Sequence, residues 1–67
     1  MKGLREIRKN KKLNQLQVAM ALNISREALS HYETGKREPS LSLLVQMSNY
    51  FNVSIHFLIT GEEFEKK

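Results

Sequence analysis

The chain is predicted to be all-α, a compact bundle of five short helices, and three observations carry that expectation. No segment alternates apolar and polar residues over a useful length, so no strand is expected. Apolar residues recur instead at three- and four-residue spacings in short runs. Every run after the first is preceded by Asn or Ser, and the breaks carry Asn or Gly, which is the punctuation of helix caps.

Leu4 and Ile7, three apart in a polar stretch, predict a first helix over 2–10 that ends at the run Asn10-Lys11-Lys12. Asn14 with Gln17 three residues on is the pattern of a capping box. It opens a second helix over 15–21, with Val18, Ala19 and Leu22 as its inward stripe. The joint is Leu22-Asn23-Ile24, and Asn is second only to Gly in tolerating the left-handed conformation that stops a helix. Ser25 caps a third helix over 26–33, with Ala28, Leu29 and Tyr32 on one face and Arg26, Glu27, Ser30 and His31 on the other. Two helices with so short a joint must cross steeply, the geometry of a helix-turn-helix. Ala19 and Ala28 are small residues where the crossing is tightest.

Gly35 closes the third helix, and Lys36-Arg37-Glu38-Pro39 forms a charged loop. Ser40 caps a fourth helix over 41–51, with Leu41, Leu44, Val45, Ser48 and Phe51 on one stripe. Asn52 repeats the Asn stop, Val53 is expected to be buried, and Ser54 caps a fifth helix over 55–60, closed by Gly61. A short tail, 62–67, follows. Ile55, Phe57, Leu58 and Ile59 crowd more than one face of the last helix. Ile55 and Leu58 are expected inward, which leaves Phe57 and Ile59, with Phe64 in the tail, for a second copy of the chain. The plainer alternative is a partly exposed end, since single apolar residues at a surface are common. Leu16, Met20 and Leu43 also point outward by pattern and offer a surface to a different partner.

Sixty-seven residues are expected to form one domain, 1–67, which buries only about 60% of the surface of its unfolded chain. With 40% hydrophobic and 27% charged residues the composition is that of a folded domain. No apolar run reaches the roughly 18 residues of a membrane span, and MKGLREIRK lacks the apolar core of a signal peptide. Without cysteine there is no disulfide or thiolate metal site, in keeping with a cytoplasmic protein. The formal charge of +4 is unevenly placed: Lys2, Arg5, Arg8, Lys9, Lys11 and Lys12 face Glu6 alone in the first twelve residues. By itself such a cluster is either a solvated helix face or a site for a polyanion.

Taken together, LREIRKNKKLNQ, the helix-turn-helix, YETGKREPSL and FNVSIHFLITG resemble the Cro and phage-repressor family, also called the xenobiotic-response-element (XRE) family. The resemblance runs from about Leu4 to Gly61. The small residue five into the family's motif is Ala19, and the aliphatic anchor at its fifteenth position is Leu29. Asn23 stands where the family usually has a turn glycine. The resemblance implies a lambda-repressor-like fold and a sequence-specific, double-stranded-DNA-binding transcriptional regulator, a repressor. It would act as a homodimer on a roughly palindromic operator, associated with the nucleoid when bound. The third helix would lie in the major groove and the second would cross the backbone. By position, Arg26, Glu27 and His31 would face base edges with Ser30 beside them, and Gln15 would meet a phosphate. The resemblance also implies that Arg8 and Glu33 form a partly buried ion pair between the first and third helices. The plainer reading of these two is a pair of surface charges.

The chemistry of these residue types suits such a role. The arginine fork matches guanine O6 and N7. Glu27 either accepts from a cytosine amino group or orients Arg26 or Arg5. His31 either donates to a guanine or a phosphate, or is an exposed helix histidine with no role. Lys36 and Arg37, together with Lys9, Lys11 or Lys12, would grip phosphates, which fixes position without reading sequence. The N-terminus of the second helix adds amides and partial positive charge.

No enzyme is expected. His31 and His56 sit on different helices without the spacing of metal ligands, and no glycine-rich phosphate loop occurs, so no metal or cofactor is implied. The rival reading is a protein-interaction module of the same fold, an antitoxin or anti-repressor.

Overall fold

The computed structural model describes residues 1–62 and contains five helices in chain order: α1 (Lys2–Asn10), α2 (Gln15–Leu22), α3 (Arg26–Thr34), α4 (Leu41–Phe51) and α5 (Ile55–Thr60). Two helices run one residue beyond their expected ends, α2 to Leu22 and α3 to Thr34. There is no strand among the described residues, and no helix there is long and apolar enough to cross a membrane.

The caps follow the sequence signals closely. Asn14 accepts from the Gln17 amide while the Gln17 side chain accepts from the Asn14 amide, each at 2.8 Å, a complete capping box. The hydroxyls of Ser25, Ser40 and Ser54 accept from the amides of Ala28, Leu43 and Phe57. Asn23 (φ 59°), Gly35 (φ 84°), Asn52 (φ 57°) and Gly61 (φ 77°) all close their helices in the left-handed region. After α1 that place is taken by Lys12, at φ 60°, a residue type that carries a Cβ penalty there. The amides of Lys12 and Leu13 donate to the carbonyls of Lys9 and Arg8, so the turn satisfies two orphan carbonyls in return.

The core consists of Leu4, Val18, Ala19, Leu22, Leu29, Met47, Phe51 and Leu58, each at most 2% exposed. Ile7, Leu13, Ile24, Tyr32, Leu43 and Val53 pack against it while partly exposed. All five helices contribute, and the burial of Val18, Ala19 and Leu22 opposite Leu29 holds the α2–α3 crossing.

Helix α4 departs from its expected stripe. Leu41 is 73% and Val45 46% exposed, whereas Met47 is fully buried and Leu43, expected outward, packs against the core. Helix α4 carries apolar residues at 41, 43, 44, 45 and 47, so its periodicity allows two rotational phases that share Phe51. Packing selects the phase of Leu43, Met47 and Phe51, spaced by four. Helix α5 is corrected as well: Leu58 alone enters the core, and Ile55 and Phe57 are both partly covered rather than divided between inside and outside. Ile59 is half exposed, and Phe64 lies outside the described residues.

The joint between α1 and α5 depends on Gly3, which is buried. A Cβ at that position would stand 1.7 Å from the carbonyl oxygen of Phe57, so only glycine lets the two backbones approach this closely.

Candidate nucleic-acid interface

The start of α3 is the exposed part of the helix-turn-helix. Leu29 is fully buried and Tyr32 packs on the core, which turns Arg26 and Glu27 to solvent and leaves Ser30 and His31 partly exposed beside them. At spacings of one, four and five these four side chains share one face of the helix. Lys9, Lys11 and Lys12 before α2, and Lys36 and Arg37 after α3, are all exposed. The amides of Lys36 and Arg37 both donate to the carbonyl of His31, at 2.9 and 3.3 Å, which ties the basic loop to the end of α3.

Arg8 and Glu33 are 8% and 7% exposed and meet in a two-pronged ion pair. Arg8 Nε donates to Glu33 Oε2 at 2.6 Å, and Arg8 Nη2 donates to Oε1 at 3.1 Å. Arg8 Nη1 donates to the carbonyl of Leu13 at 2.9 Å, so the guanidinium also secures the turn between α1 and α2. The fork-to-fork geometry is the strong form of this contact, and the burial removes the reading of two independent surface charges.

Gln15 joins this pair to the exposed helix start. Its Nε2 donates to Glu33 Oε1 at 3.1 Å, and its Oε1 accepts from Arg26 Nη1 at 3.2 Å. One N–H of the Gln15 amide remains outside these bonds. The arrangement also corrects one expectation for Glu27. Among the described residues it forms no ion pair with Arg26 or Arg5, and Arg26 takes its orientation from Gln15 instead. A neutral amide oxygen inside the helix-turn-helix is closer to hand than a carboxylate one residue along the helix, whose side chain diverges by about 100°.

His31 is not simply an exposed helix residue. Its Nδ1 is buried without a hydrogen-bond partner among the described residues. An unpaired buried N–H is the costlier fault than an unpaired lone pair, so the neutral ring favours its proton on Nε2. That form presents a donor, which fits guanine N7 or O6 or a phosphate oxygen.

The Arg8–Glu33 pair is the one that the family resemblance implies, whereas the bonds from Glu33 through Gln15 to Arg26 had no sequence signal. They join residues 18 and 11 apart, beyond any local pattern. Gly3 carried no such signal either, because a single glycine inside a helical segment is tolerated at a cost of about 1 kcal/mol and does not by itself announce a close contact.

The model of a helix-turn-helix family matches residues 4–58. The chain is 44% identical over 64 residues to the uncharacterized HTH-type transcriptional regulator YqaE of Bacillus subtilis (strain 168), covering 96% of this chain and 55% of that protein. It is 42% identical over 60 residues to the HTH-type transcriptional activator BcrR of Enterococcus faecalis, covering 90% and 29%. Similarity to the antitoxin PezA of Streptococcus pneumoniae serotype 4 is 39% over 62 residues, covering 92% and 39%. The chain therefore spans about half, or less, of the length of these relatives.

Proposed function

This chain belongs to the XRE family of helix-turn-helix proteins, and we propose that it is a sequence-specific regulator that binds double-stranded DNA. The observation that carries the proposal is the exposed first turn of α3, rigidly backed by the core and flanked by exposed cations on both sides. In this reading α3 enters the major groove. Arg26 offers its fork to guanine O6 and N7, Glu27 accepts from a cytosine amino group, and Ser30 and His31 approach the neighbouring bases. Lys9, Lys11, Lys12, Lys36, Arg37 and the remaining N–H of Gln15 hold phosphates. Repression is the simplest outcome, because a protein seated in the groove excludes others from the same DNA.

A homodimer on a two-fold operator completes the reading. Ile59 lines a shallow groove with Pro39 and Leu44, and a second copy would cover it together with the partly exposed Phe57. Sedimentation at micromolar concentration is expected to give a dimer, with or without DNA; monomer under both conditions would end that part of the proposal.

A gel mobility shift on duplex DNA, titrated with salt, tests the main claim. If a dimer makes about eight ionic phosphate contacts, log K should fall against log salt with a slope near −7. Lys36→Ala should weaken binding to all sequences alike and make the slope shallower by about one per protomer. A slope near zero would sink the electrostatic account.

A second reading, a protein-interaction module such as an antitoxin, draws on the PezA similarity and on Leu16 and Met20, which are 54% and 71% exposed one turn apart on α2. The same titration separates the two, because a module that binds only protein leaves the duplex unshifted at every salt concentration.

A further inference from the structure

We infer that Glu33 is a positioning residue for base reading: acting through Gln15, it sets the orientation in which Arg26 meets DNA. The inference rests on the groove assignment of Arg26 proposed above. It follows from the polarity of the hydrogen bonds. Glu33, with a side chain 2% exposed, accepts from Arg8 at both oxygens and meets Gln15 as an acceptor too. Gln15 must therefore turn its amide nitrogen toward Glu33 Oε1, and the bond is 3.1 Å. That choice leaves the amide oxygen, an acceptor only, facing outward, where it receives Arg26 Nη1 at 3.2 Å. A long, rotamer-rich side chain on the surface is thereby held at one nitrogen, with the rest of the fork free for a base.

The buried carboxylate thus dictates that position 26 must present a donor to Gln15. Glu33→Gln would reverse the chain of bonds. With its oxygen held by Arg8 Nε, the new amide would put its nitrogen where Oε1 stood, against Gln15 and also against Arg8 Nη2. Gln15 would then rotate its own oxygen inward and present N–H to Arg26. Two donors would face each other, and Arg26 would be released from its orientation without substitution of any residue placed on the DNA.

Selection of duplexes from a randomised library tests this, using the full chain as wild type, Arg26→Ala, Gln15→Met and Glu33→Gln. It is run at a temperature where circular dichroism shows each variant helical. One base position should lose its preference in Arg26→Ala. The same position is expected to lose about tenfold in preference in both Gln15→Met and Glu33→Gln, within the range of one good bidentate contact, while other positions keep theirs. Gln15→Met leaves the Arg8–Glu33 pair intact and tests the Gln15 link by itself if Glu33→Gln does not fold, and a folded Glu33→Gln that keeps the preference overturns the role of Glu33. If Gln15→Met weakens every duplex equally and keeps the preference, Gln15 is a phosphate contact alone and the positioning role is overturned. If Arg26→Ala changes no base position, the groove assignment of Arg26 fails, and the inference with it. No enrichment by the wild type would overturn DNA reading itself.

Discussion

Arg8→Met is expected to destabilise the chain by about 3–5 kcal/mol, because it leaves the carboxylate of Glu33 buried without its partner. For a domain of this size that corresponds to a fall in melting temperature of roughly 12 °C or more. Much of the loss comes from the unpaired charge rather than from the missing bond. Arg8→Met combined with Glu33→Leu should therefore recover a large part of it, since apolar residues of similar volume replace buried ion pairs at little net cost. Lys36→Ala is the control, an exposed change expected to stay within about 0.5 kcal/mol. Thermal melts of the two single variants and the double variant measure the coupling. A loss below about 1 kcal/mol for Arg8→Met would mean that the pair behaves as a surface contact.

Gly3→Ala is expected to cost about 3 kcal/mol, near the top of the usual range for overpacking. In an ordinary helix interior the same change would stabilise by roughly 0.5–1 kcal/mol. The sign reverses here because the added methyl would lie 1.7 Å from the carbonyl oxygen of Phe57, and backbone cannot swing aside as a side-chain tip can. Helices α1 and α5 would have to part by more than an ångström, which opens the core around Leu4 and Leu58. Urea unfolding should show a lower midpoint, and hydrogen exchange should show the loss concentrated in α1 and α5. An unchanged or raised midpoint would mean that the joint relaxes freely.

Local structure is largely legible in the sequence, and for a physical reason. Asn14, Ser25, Ser40 and Ser54 act on amides three residues away, and Asn23, Gly35, Asn52 and Gly61 act on the turn that they occupy. Such signals depend on residue type at short range, so reading them needs no knowledge of the rest of the chain. The exposed face of α3 was legible in the same way, as the complement of Leu29 and Tyr32. Helix α4 shows where this ends. Its crowded apolar residues fit two rotational phases equally well, and nothing within the helix ranks Val45 against Met47. Lys12 is a second case, because a polar run announced the end of α1 while the left-handed turn is supported by bonds to Arg8 and Lys9.

By itself the sequence determined the number of helices, their caps, the steep joint between α2 and α3, and the basic character of the surfaces around them. These follow from interactions within a turn or two and from the signs of side-chain charges. Only the tertiary structure decided which phase of α4 faces the core, that Gly3 permits the α1–α5 contact, and that Glu33 reaches both Arg8 and Gln15. Each of those depends on distances between residues far apart in the chain. Such distances are set when the five helices bury one shared core, and no segment alone can hold them.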